Sequence, residues 1–114
     1  MNIEQQIVFA IKHRRKITLE SGGCKRKIEP YVLYQSSTGQ KLLHGWQYDG
    51  ESNTTPPPDW INVRLDSIEW VKVKEKTFGD TKPGYNPHSK AFNTVIAFVE
   101  KDSTAAEILY PLFR

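Results

Sequence analysis

At 114 residues the chain has room for one hydrophobic core and not for two, and its 38% hydrophobic and 25% charged content is that of a folded globular domain. Its net charge of +3 favours polyanionic partners, and no apolar run is long enough to cross a bilayer as a helix. Cys24 is the single cysteine, which excludes an internal disulfide and a thiolate zinc cage built from this chain alone.

Asn2 can cap a helix, and Ile3, Ile7, Ala10 and Ile11 then recur with helical spacing, leaving Glu4, Gln5 and Lys12 on the wet side. A helix is expected within residues 1–15, ending in the basic run "HRRK" that suits a helix C-terminus. Apolar residues precede the positive charges here, the reverse of a secretory signal, so a cytoplasmic location is expected. From Ile17 the period drops to two, and Gly22-Gly23 supplies a turn, after which Cys24 reads as a small residue opening the next strand. "KRKIEPYVLYQ" is that strand, and Pro30 within it calls for an edge or a bulge.

"SSTG" turns the chain into a strand from Gln40 to Tyr48. Alternation puts Leu42, His44, Trp46 and Tyr48 on one face and Lys41, Leu43, Gly45 and Gln47 on the other. Gly45 would let a neighbouring backbone or a ligand come close, with His44 lining a partly exposed cleft and Trp46 largely buried beneath it. A proline-bearing loop, "DGESNTTPPPD", leads to "WINVRLDSIEWVKVKEKTF", which holds one or two strands. Beyond the connector "GDTKPGYNPHS", Asn86-Pro87 resembles a cap and first turn, and Phe92, Val95, Ile96 and Val99 predict a helix over residues 87–100. The apolar "AAEILYPLF" that follows is expected to dock on the body. The expected fold is mainly β (α+β): a small antiparallel barrel or strongly curved sheet over residues 16–78, an N-terminal helix, and a C-terminal helical extension over 79–114, all in one domain.

Enzyme signatures are missing: there is no glycine-rich phosphate loop, no nucleophile elbow and no His-Glu-x-x-His. His13, His44 and His88 lie far apart, so a non-catalytic protein without cofactor or metal is expected. The polar and aromatic residues on strands are the candidates for ligand binding: Arg26, Tyr34, Lys41, His44, Trp46 and Arg64. Arg64 in "INVRLDSI" has two readings, an ion pair with Asp66 or a grip on an anionic ligand. The seven cations among Lys12, Arg14, Arg15, Lys16, Lys25, Arg26 and Lys27 are likewise either a solvated face or a nucleic-acid contact.

Two blocks carry a resemblance. "KRKIEPYVLY" resembles the arginine-x-x-x-proline-tyrosine strand of WYL domains, with Arg26, Pro30, Tyr31 and Leu33 in place, and "VRLDSI" resembles that family's later arginine block. The preceding "AIKHRRKITLESGG" is similar to its helix-to-strand entry, so the likeness covers about residues 3 to 78. Lys41-Leu42-Leu43 stands where the namesake tripeptide falls and keeps its leucine, and Ser67 stands at the second arginine of the later block. The resemblance implies an Sm-like β-barrel that binds a regulatory ligand, often a nucleotide or single-stranded nucleic acid, in bacterial regulation or phage defence. It also carries over Arg64 as a ligand contact. An alternative is a subunit of a larger assembly, a homo-oligomer or a complex with a partner protein, docking through its strand edge or the C-terminal "ILYPLFR".

Overall fold

Asn2 starts the fold. Its side-chain oxygen accepts from the Gln5 amide at 2.8 Å, and the Gln5 side chain accepts from the Asn2 amide at 3.0 Å, so two of the orphan donors of helix α1 (Ile3–Lys12) are satisfied. The structure, a computed structural model, describes residues 1–101. Ile7, Ala10 and Ile11 bury the inner stripe of α1 against the sheet. The helix ends at His13, and Arg14, with φ of 49°, redirects the chain into strand β1. Strands β1 (Arg15–Ser21), β2 (Cys24–Gln35), β3 (Lys41–Gly50), β4 (Asp59–Arg64), β5 (Ile68–Thr77) and β6 (Thr94–Phe98) follow, with a 3₁₀ turn at Leu65–Ser67. Among the described residues, no helix is long and apolar enough to cross a membrane.

All pairings are antiparallel, and the strands run in the order β4-β3-β2-β1-β5, with β6 also on β2. β2 is the hub. One of its edges carries β3 along its whole length. The other is divided, with β1 on Cys24 to Ile28 and β6 on Val32 to Gln35. Pro30 lies in the gap between those two partners, beside a register shift, where a residue without an N–H costs the ladder least. The expectation of a bulge at Pro30 holds, in a central strand.

The sheet cannot be flat. The registers Leu42↔Arg64, Tyr34↔Leu42, Ser21↔Cys24 and Ser21↔Ile68 would hold Arg64 and Ile68 roughly 38 Å apart in a flat ladder, from interstrand spacing and strand rise together. The chain between those two residues reaches at most about 14 Å. The sheet therefore rolls up, bringing its two end strands toward each other. Register shifts at Lys27/Ile28 and Pro30/Val32 supply local bends and added twist.

Two expectations are corrected. The sheet does not close into a barrel: among the described residues β4 pairs only with β3, and β5 only with β1. The helix over residues 87–100 is not formed either. Asn86 does organise a turn, accepting from the His88 amide at 3.0 Å through its side chain, but the chain then extends as β6. Thr94, Val95 and Ile96 are β-branched and poor helix formers, and their backbone satisfies the outer edge of β2, which would otherwise lie unpaired. The remainder of the expected extension, with the apolar tail, lies outside the described residues.

Gly45 allows a close approach of β3 to β2 in the roll. A Cβ there would lie 2.6 Å from Ile28 Cγ2 and 2.8 Å from the Glu29 carbonyl oxygen. Gly45→Ala is expected to lower the free energy of unfolding by about 1–3 kcal/mol, read from the urea midpoint, because backbone on β2 has to move. A midpoint equal to wild type would mean that β2 and β3 are not held this closely.

Candidate functional site

Between β4 and the hairpin end of β1 and β2, a depression of about 490 Å³ opens. Trp60, Ile61, Asn62, Val63 and Arg64 line it consecutively, which marks it as running along the strand edge, because alternate side chains leave opposite faces. Ser21, Arg26, Thr54 and Ser67 form the rest of its wall. Arg26 and Arg64 thus line one depression although β4 and the start of β2 are not neighbours in the sheet.

The two arginines are held differently. Arg26 donates from Nη1 to Gln47 Oε1 at 3.0 Å and to the Glu51 carbonyl at 3.4 Å, while its buried Nε has no partner among the described residues. Gln47 is itself buried and donates onward to the Glu51 carbonyl at 2.8 Å, so the guanidinium is fixed by a polar strut. Arg64 stands in solvent and pairs with Asp66 at 2.9 Å, which makes the first of its two readings a fact of the structure. With both partners more than half exposed, that pair is screened and contributes little, and an anion can compete for the guanidinium. The Ser67 hydroxyl donates to the Arg64 carbonyl at 2.7 Å, so Ser21 donates to Ser67 at 2.8 Å.

Tyr34 and His44 line a different, smaller cleft of about 270 Å³, with Asn62, Asn86, Ser89 and Phe92 among its walls. Asn62 borders both spaces. Its side-chain oxygen accepts from the Tyr34 hydroxyl at 3.0 Å and meets His44 Nδ1 at 3.1 Å, so Nδ1 carries the imidazole proton. The ring of His44 stacks on Trp60, 4.8 Å away and 7° from parallel, and Phe92 tilts against it at 5.0 Å. His44 therefore lines a partly exposed cleft, as expected, but its stacking partner is the protein's own Trp60. Trp46 is only half-buried and meets Trp60 edge-on at 5.3 Å.

Lys41 lies elsewhere. It is ion-paired with Glu4 of α1 at 2.7 Å, on the opposite face from His44. The seven early cations do not form one patch. Arg14 bonds the carbonyls of Gly79 and Glu100, Arg15 lies over Phe9, and Arg26 enters the depression. The residues that the sequence reading passed over are Trp60, Phe92 and Gln47. Trp60 carried one legible signal, an aromatic at the start of a strand just after the prolines.

Behind the cleft, Tyr31 is buried among Trp60, Phe78 and Tyr85 at ring distances of 5.0, 5.3 and 4.6 Å. Burial pushes the Tyr85 phenol far above its ordinary range, so it stays protonated and donates to the Val99 carbonyl. No family model matches the chain, and neither a curated protein nor a solved structure matches it.

Burial lowers the His44 pKa below the ordinary 6.5, against a smaller upward pull from its hydrogen bond to Asn62. The unfolded chain protonates first as pH falls. The stability that neutral His44 contributes is therefore complete above 6.5 and declines as pH falls toward the folded-state value. An NMR titration should give His44 a midpoint below 6.5, and His44→Phe should lose less stability than wild type between about pH 7.5 and 5.5. A midpoint above 6.5 would mean that the ring is solvated.

Proposed function

We propose that this domain is a non-catalytic, ligand-sensing regulatory module that takes an anionic, nucleotide-like ligand in its open seam. The observation that carries the reading is that Arg26 and Arg64 line the same depression. Arg26 is pre-positioned by Gln47 and Glu51, so little entropy is lost when it meets a phosphate. Arg64 exchanges an exposed carboxylate for the ligand. The half-exposed Trp60 offers an aromatic surface beside them. The resemblance to WYL domains, in which Arg64 corresponds to a ligand contact, points to bacterial regulation or phage defence. The seam's two serine hydroxyls bond one another and a backbone carbonyl, and among the described residues no base activates them, which favours binding over chemistry.

Titration calorimetry with ATP, GTP and inorganic phosphate at low and moderate salt tests this. Arg64→Ala should weaken nucleotide binding by about tenfold or more, since a hydrogen bond to a charged group is worth roughly 1.5–3 kcal/mol. Its circular dichroism should remain that of wild type, because the side chain is exposed. Salt-insensitive binding, or binding unchanged by Arg64→Ala, counts against the reading.

A second reading rests on a separate observation. β6 exposes Val95, Ile96 and Phe98, each more than a third accessible, and among the described residues the strand pairs only with β2. An assembly subunit would add a partner's strand there or along β4. The C-terminal docking segment weighed with it lies outside the described residues. Phe98→Ser should convert an oligomer to a monomer in light scattering if this surface is used; a wild-type monomer removes self-assembly.

A further inference from the structure

A second groove, of about 630 Å³, lies away from the seam on the outer face of β1, β2 and β5. Lys16, Lys27, Lys72, Lys74 and Lys76 line it, and Glu75 is the one carboxylate among the lining residues. We propose that this groove binds the phosphate backbone of a single-stranded nucleic acid, at a site distinct from the Arg26–Arg64 depression.

The register creates it. Thr18 on β1 lies opposite Lys27 on one side and Lys72 on the other, so strands distant in sequence place their ammonium groups in one row. Along β5, Lys72, Lys74 and Lys76 follow within five residues, where a register shift against β1 between Val73 and Thr77 lets residues 72–76 all border the groove. The nearby acids leave most of this charge uncompensated. Lys27 reaches only the exposed Asp49, at 3.7 Å, and Lys16 stands 4.0 Å from Glu29, which Lys82 holds more closely at 3.2 Å. Among the described residues, Lys72, Lys74 and Lys76 make no ion pair.

Thr18 is an independent sign of a ligand. The residue is 7% exposed, it lines the groove, and its hydroxyl has no hydrogen-bond partner among the described residues. A buried hydroxyl without a partner costs stability in the free protein, and a phosphate oxygen drawn between Lys27 and Lys72 would supply one.

Aromatic rings border the lysines. Tyr48 lines the groove with Lys16 Nζ 4.5 Å from its ring centre, and Trp70 stands 37% exposed at the next position along the β5 face. Bases splayed from a tracked backbone can stack on such rings, which a duplex cannot do. Glu20, opposite Trp70 on β1, and Glu69 place acidic groups at that end of the basic row.

The test is fluorescence anisotropy of the full chain with a labelled oligothymidylate of about 15 nucleotides, across a salt series. Lys72→Gln/Lys74→Gln/Lys76→Gln should weaken binding at least tenfold and flatten the log–log salt slope by about 2, because single-strand slopes run near 0.7 per phosphate neutralised. Lys12→Gln/Lys90→Gln/Lys101→Gln removes the same charge elsewhere and should keep the wild-type slope. Thr18→Val should raise the unfolding midpoint while weakening the oligonucleotide several-fold. Nucleotide binding that persists in the β5 lysine variant separates this groove from the seam. The proposal is overturned if the two triple variants behave alike, or if the chain binds phosphatidylserine vesicles and not the oligonucleotide.

Discussion

The connection between β4 and β5 governs the molecule. A single 3₁₀ turn joins the two end strands of the path, and so short a link forces the sheet to roll. The roll demands bends in β2 and β3, which is where the register shifts, Pro30 and the side-chain-free Gly45 are found. It also carries the edge of β4 around to the beginning of β2, so Arg64 and Arg26 come to border one space. The two edges stop short of pairing, and a gap remains. What is a fold constraint on one side of the sheet is thus the origin of a pocket on the other.

Local chemistry was readable from residue order alone. Asn2 as a cap, the Gly22-Gly23 turn and the facing of β3 depend on neighbours within a few positions, and each is found as expected, while the Arg64–Asp66 pair is one of the two readings left open for Arg64. Residues 87–100 misled because their local signals were sound: Asn86 does start a turn, and the apolar spacing does fit a helix. The decisive partner, the vacant edge of β2 beyond Pro30, lies some sixty positions earlier in the chain and leaves no mark on the segment itself. Residue order left a closed barrel and a strongly curved sheet both open for a related reason, since strand number does not determine whether two ends reach hydrogen-bonding distance.

The candidate site was legible in part. Arg26, Arg64, Tyr34 and His44 were recognisable as polar groups on strands, yet they divide between two spaces with Asn62 on their common wall. Lys41 was drawn away by Glu4, a pairing that depends on how α1 lies across the sheet. Gln47 was placed only by its face of β3, and its support of Arg26 depends on how β2 and β3 pair. The lysines of β5 carry no local signal of a groove. Their meeting with Lys16 and Lys27 is a property of the register.

The stack of His44 on Trp60 gives the protein an internal optical gauge. An excited indole transfers an electron readily to an imidazolium and poorly to a neutral imidazole, so emission from Trp60 depends on the charge of the ring beside it. Trp46 touches Trp60 edge-on and shares its excitation, whereas Trp70 stands apart beneath Lys25 in a more polar setting. The three tryptophans therefore divide into a coupled, shielded pair and a separate exposed emitter. The wavelength at which the spectrum changes then tells which side of the sheet has been perturbed, with no label attached.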